Sequence, residues 1–133
     1  MSYTAPLKDM VFVMNELAGL DTISQLPGCE DVNAELVEQI LEENGRFATE
    51  VLSPLNKSGD TEGSVLKDGK VTTPKGFKDA YKAYAEAGWV GLAAGNEFGG
   101  SGMPPLIVMA LNEIQWYAWP TGNAASRHWT PTY

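Results

Sequence analysis

The apolar residues of this chain recur at three- and four-residue steps in four separate segments. That spacing confines it to helices packed on helices. Leu7, Met10, Val11, Met14 and Leu17 share one face of a helix expected from Pro6 to about Ala18, with Gly19 as its stop. Leu36, Val37, Ile40, Leu41, Ala48, Val51 and Leu52 form the longest stripe, in a helix from Asn33 to about Ser53. Asp31 or Asn33 can cap its start, Glu35 and Glu38 suit the positive end of the helix dipole, and Pro54 is expected to end it. A third helix is expected to begin sharply at Thr73-Pro74. Thr73 would cap it, and Pro74 would take the first position, where a missing N–H costs nothing. Phe77, Ala80, Tyr81, Tyr84 and Ala85 make its apolar side, and Lys75, Lys78 and Lys82 its polar one. Gly88 is placed to cap its end, with Trp89 folding back on the last turn. A fourth helix runs from about Pro105 to Trp116, where Leu106, Met109, Ala110 and Ile114, with Ile107 and Leu111 beside them, give a broad apolar surface.

Between these segments lie turns. Pro27-Gly28 marks one. Asn56 to Thr73 reads as a polar connector in which Val65-Leu66 and Val71-Thr72 flank Asp68-Gly69, a hairpin signal. A two-stranded ribbon is marginal alone, so this one is expected to lie on the helices. Residues Gly88–Pro105 are Gly-rich, with a short strand-like piece at Val90–Ala94. The expected fold class is all-α: about four helices with a small β-hairpin, in one domain. No internal repeat or low-complexity tract interrupts it.

Composition excludes several chemistries. One cysteine, Cys29, and one histidine, His128, permit no internal disulfide and no Cys/His metal cluster. Cys29 is most simply an incidental thiol in its turn, and His128 a solvated side chain. No metal site is expected. A net charge of −8 argues against nucleic acid and anionic membrane as partners. The first residues are interrupted by Lys8, Asp9, Asn15 and Glu16, unlike a secretory signal. The longest apolar stretches, Met10–Met14 and Pro104–Leu111, fall far short of the roughly 20 residues that span a bilayer. A cytoplasmic location is the expectation. Acidic residues dominate Glu30–Glu62 and lysines dominate Lys67–Lys82. Two solvated faces of opposite sign account for this, and a docking face for another domain is the alternative.

The loop before the fourth helix has glycines that allow close backbone approach, and free N–H groups at the helix start could hold an anion. It is not a P-loop, since no Gly-Lys-Ser/Thr follows, and the G-x-G-x-x-G spacing is absent. On the residues alone, a structural loop is favoured over a binding loop.

The order of motifs carries more. GFKDAYKAYAEAGWVGL (Gly76–Leu92), followed by EFGGSGMP (Glu97–Pro104), resembles the N-terminal helical domain of the acyl-CoA dehydrogenases. VLSPLNKSGDTEG (Val51–Gly63) is similar to a connector of the same family. The opening Ser2–Leu17 and the turn LPGCED (Leu26–Asp31) resemble the N-terminal extension of a subgroup that includes enzymes acting on dimethylsulfoniopropionate-derived acyl-CoA. The resemblance runs from about Ser2 to Glu113. It implies a domain over residues 1–119, of which 1–31 form the extension, and an atypical tail over 120–133 expected as loop.

By this resemblance, the full-length enzyme desaturates an acyl-CoA thioester between its α and β carbons. A carboxylate removes the α-proton, and the β-hydride passes to FAD, which carries the hard chemistry. In the family, the catalytic Glu and most FAD contacts belong to a β-domain and a C-terminal bundle that this chain does not include. No catalytic residue is therefore carried over, and the chain alone is expected to be inert and to bind no FAD. The loop and last helix lie along the acyl-chain side of the family's pocket, which makes Phe98, Gly99, Gly100, Leu106, Met109 and Glu113 the candidate lining residues. Core packing is the simpler account of Leu106 and Met109, and a surface carboxylate that of Glu113. Past Ile114 the chain departs from the family with Gln115-Trp116-Tyr117-Ala118-Trp119-Pro120. A second reading is a truncated, non-catalytic homologue. Its uncovered apolar face would favour homo-oligomers or capture of a partner.

Overall fold

The stripe from Leu36 to Leu52 forms the helix on which the first and last helices pack. The computed structural model describes residues 3–119; the expectations for 120–133, His128 and the tail included, lie outside the described residues. Helix α1 spans Leu7–Phe12, α2 Leu20–Ile23, and α3 Ala34–Phe47. α3 begins at its capping residue: the Asn33 carboxamide oxygen accepts from the Leu36 N–H at 2.9 Å. It does not stop at Pro54. A π turn, Ala48–Leu52, leads straight into α4 (Ser53–Glu62), so residues 34–62 make one continuous rod.

The cause is local. In an α-helix a proline ring collides with the carbonyl four residues back. Here the Ser53 N–H donates to the Ala48 carbonyl, five residues back, which widens the turn just ahead of Pro54 and makes room for the ring. The first part of the expected connector, 56–62, is therefore helix.

A second π turn, Val13–Leu17, extends α1 and shifts the phase of its stripe. Met10 and Met14 are buried, but Leu17, expected on the same face, is 73% exposed. Gly19, at φ 70, ends this helix as expected. α2 then carries Leu20 into the core where only a turn was anticipated. The Pro27-Gly28 turn closes with the Cys29 N–H on the Leu26 carbonyl at 3.0 Å.

Strands β1 (Val65–Lys67) and β2 (Lys70–Thr72) pair antiparallel, with Lys67 opposite Lys70. Asp68 and Gly69 both have positive φ, 50 and 73, the left-handed pair that a type I′ turn requires. The ribbon does not lie on the helices: every residue of both strands is exposed. Strands of three residues carry too little apolar surface to hold it down. The chain is tied at the ribbon's base instead, where the Lys75 N–H donates to the Glu62 carboxylate at 3.0 Å.

α5 (Phe77–Glu86) starts at Gly76, three residues later than Thr73-Pro74 signalled. Pro74 is buried, and its carbonyl accepts from the Phe77 N–H. A Cβ on Gly76 would lie 2.8 Å from Cδ2 of Leu55, so packing against α4 sets the start. Phe77 and Ala80 are buried, Tyr84 is half-buried, and Tyr81 and Ala85 are exposed. Gly88 (φ 82) caps the end as expected. The piece expected as strand-like, Val90–Ala94, is instead the end of a 3-10 turn (Trp89–Gly91) and a bend.

α6 (Pro105–Ala118) and α1 both pack on the long rod. Ile107, Leu111, Ile114 and Ala118 of α6 face it, and with Val37, Leu41, Ala48 and Leu52 of the rod they form the centre of the core. Each fully buried Leu or Ile there is worth about 1.5–3 kcal/mol. Gly45 lets the N-terminal segment approach closely, since a Cβ would come within 3.3 Å of Cβ of Ala5. The expected fold class holds: long helices and one small hairpin. Among the described residues, no helix is long and apolar enough to cross a membrane.

Candidate functional site

α1 and α6 sit side by side on the rod without closing on one another. The gap between them is an open groove of about 760 Å³. It exists because α6 is apolar on more than one side. Residues 107, 111, 114 and 118 point to the rod, so Leu106, Ala110, Glu113 and Tyr117, at the same spacing, form the adjoining face. That face, with Met109, Asn112 and Trp116, makes one wall. Pro6, Asp9, Met10, Val13 and Met14 make the other.

Of the residues singled out in the sequence, the groove brings together Leu106, Met109 and Glu113. Met109 is 66% exposed, which overturns the core-packing account of it. Leu106 is half-buried and touches both the core and the groove. Glu113 is exposed. Phe98, Gly99 and Gly100 do not line the groove; Phe98 stands 81% exposed on the preceding loop. The wall from α1 was missed. Its signal was faint: Met10 and Met14 read as core positions of the α1 stripe, and of this wall only Val13 is an apolar residue outside it.

The glycine-rich loop is closed on itself. The N–H of Ser101 bonds the Gly91 carbonyl at 3.2 Å, that of Gly102 the Ala94 carbonyl at 2.9 Å, and that of Met103 the Leu92 carbonyl at 2.9 Å. Gly100 lies in the crossing, where a Cβ would fall 2.5 Å from the Gly91 carbonyl oxygen. At the start of α6, Pro105 has no N–H, and the Ile107 N–H is spent on the Pro104 carbonyl at 3.0 Å. These bonds occupy the N–H groups of Ser101, Gly102, Met103 and Ile107, so they are not offered to an anion.

Two half-buried tyrosines flank α6, Tyr3 near Glu113 and Tyr84 on the core side. The Tyr3 hydroxyl is buried without a hydrogen-bond partner. Burial pushes its pKa up, and the nearby Glu113 and Tyr117 add to the shift. The Tyr84 hydroxyl donates to Oε1 of Gln115, on the core side of α6, at 3.0 Å; burial raises its pKa while that bond opposes the rise.

No family-level sequence profile matches the chain. It is 36% identical over 114 residues to 3-methylmercaptopropionyl-CoA dehydrogenase of Ruegeria pomeroyi, which is 86% of this chain and 19% of that protein. It is 30% identical to the broad-specificity linear acyl-CoA dehydrogenase FadE5 of Mycobacterium tuberculosis, over 84% of this chain and 18% of the relative. The chain belongs to the acyl-CoA dehydrogenase family. A butyryl-CoA dehydrogenase of Syntrophomonas wolfei is 31% identical over 96 residues, 65% of the chain and 15% of the relative. The chain thus spans less than a fifth of the length of the relatives it matches.

The family implies FAD, and the residues here can be tested against it. A dinucleotide needs donors or cations around its pyrophosphate. The glycine loop has turned its N–H groups inward, and the groove is lined by Asp9 and Glu113 with no basic side chain. Among the described residues, neither this loop nor this groove fits the cofactor, and no reaction step is assigned to them through it.

Proposed function

We propose that this chain is the N-terminal helical domain, residues 1–119, of a flavin-dependent enzyme that desaturates an acyl-CoA thioester. The observation that carries the reading is the 36% identity over 86% of the chain to an enzyme of that type. In this reading, FAD and the proton-abstracting carboxylate are held by parts of the longer enzyme, and the chain supplies apolar wall for the acyl group. Leu106 and Met109 present that wall, and Glu113 stands at its edge. Phe98, Gly99 and Gly100 act through the loop that sets the start of α6. Alone, the chain is inert and binds no FAD.

The test is a chimera. This chain replaces the matching 114 residues of the Ruegeria relative, and flavin absorbance and acyl-CoA-dependent dye reduction are measured on the purified protein. A folded, yellow chimera that oxidises acyl-CoA is expected, and Met109→Trp should raise KM for the longer chains more than it lowers kcat. A folded chimera that binds flavin yet turns over no acyl-CoA would refute the reading, as would a yellow isolated chain.

A second reading, a non-catalytic homologue that self-associates, is favoured by one observation. Phe12, Leu17, Met109 and Tyr117 are 59–73% exposed on α1, its π turn and α6. Light scattering on the isolated chain tests it: a concentration-dependent dimer supports it and a monomer at high concentration sinks it.

A further inference from the structure

We propose that the groove between α1 and α6 is a binding site for an organic cation with a straight apolar body, such as an alkylammonium. This goes beyond the acyl-wall reading, in which the ligand's chain is uncharged and the carboxylates have no role.

The groove walls are of two kinds. Met10, Val13, Met14, Leu106 and Met109 give it an apolar trough. Methionine side chains are unbranched and polarisable, so such a trough takes a flexible chain without a fixed shape. From Leu106 to Glu113 it runs along α6 for about 10 Å, at 1.5 Å per residue, close to the length of an extended decyl chain. Polar groups then decide what the end of the chain carries. Asp9 stands on one wall and Glu113 on the other, and among the described residues no Lys or Arg lines the groove. Neither carboxylate is in an ion pair among the described residues, where the ion pairs are Arg46–Glu43 and Lys82–Glu86. Trp116 and Tyr117 line the same end of α6, and a ring face attracts a cation within about 6 Å. An anionic amphiphile meets two carboxylates there, a neutral one gains only the trough, and a cation gains the trough, the carboxylates and the rings.

The test uses the full chain in 0.15 M salt, where the field of the distant acids is screened beyond about 8 Å. Decyltrimethylammonium and the uncharged decyldimethylamine N-oxide, each below its micelle concentration at pH 8, are titrated by calorimetry. The methyl resonances of Met10, Met14 and Met109 locate the site. The cation is expected to bind about tenfold more tightly than the N-oxide, from exposed ion pairs and cation–π contact. Asp9→Asn with Glu113→Gln should cut the cation's advantage over the N-oxide to the part the rings supply and leave the N-oxide unchanged. Glu35→Gln with Glu38→Gln, on the exposed side of α3, should change neither. Equal binding of the two probes, binding of neither, or an equal loss from the α3 pair would overturn the proposal. Equal binding at the methionines would still leave the acyl-wall reading standing, so the two can fail separately.

Discussion

Replacing Gly100 by alanine should cost this fold about 2 kcal/mol, and the same change at Gly91 should cost almost nothing. Gly100 does not need a left-handed backbone, so the effect is purely steric. Its Cβ would fall 2.5 Å from the Gly91 carbonyl oxygen and press closer still on the Ala94 carbonyl oxygen. Both oxygens are backbone, so no side chain can swing aside. To make room, the two halves of the loop must part, and the bonds from Ser101 to Gly91 and from Gly102 to Ala94 are the ones that hold them. Each is worth about 0.5–1.5 kcal/mol net, giving a loss near 2 kcal/mol for the pair. At Gly91 the added Cβ would sit 3.7 Å from Cα of Gly100, an ordinary contact. Urea unfolding followed by far-UV circular dichroism reads the difference. With a slope of about 1–3 kcal/mol per molar, the Gly100→Ala midpoint should fall by about 1 M and the Gly91→Ala midpoint should hold. Two variants with midpoints within experimental error of one another would refute the account of this loop as a closed backbone crossing.

Three further outcomes follow from the core and the surface. Asn44 is fully buried, and neither atom of its carboxamide has a partner. Asn44→Leu, close to it in size, should raise stability by about 1 kcal/mol, and thermal unfolding at a lower temperature than wild type would show that the amide is satisfied after all. Tyr84→Phe should lower stability near pH 7 by about 1 kcal/mol through the lost bond to Gln115. Because burial lifts the Tyr84 pKa above its usual 10.0, its contribution is complete below that pH and is lost as pH rises through the folded-state value. The alkaline limb of the stability profile should therefore be shallower in Tyr84→Phe; an unchanged limb would count against it. Leu66→Thr with Val71→Thr should leave stability within about 0.5 kcal/mol, since these side chains are 71% and 66% exposed. A loss of several times that would mean the ribbon is covered.

Much of the backbone was readable from residue types with local mechanisms. Asn33 caps α3, Gly19 and Gly88 end helices, and Asp68-Gly69 makes its turn, because each depends on a few neighbouring atoms. The misses share one origin. Pro54 reads as a stop until a π turn ahead of it is allowed, and Thr73-Pro74 reads as a start until Leu55 packs against Gly76. Asn44 could not be read as buried, since its position in the stripe conflicted with its polarity. Half of the candidate groove was legible through family likeness in α6; the α1 wall was not, because Met10 and Met14 read as core and nothing local said that α6 would lie beside them.

The sequence by itself determined four of the helical segments and several of their ends, and that the hairpin turns at Asp68-Gly69. Those outcomes rest on spacing, capping and backbone preferences within a few residues. It did not determine which side of α6 is the inside. Leu106, Ile107, Val108, Met109, Ala110 and Leu111 are consecutive apolar residues, so periodicity has no phase to report. Contact with the long rod made that choice, burying Ile107, Leu111 and Ile114 and turning Leu106, Met109 and Glu113 toward α1. The groove, and any function it has, follows from that rotation.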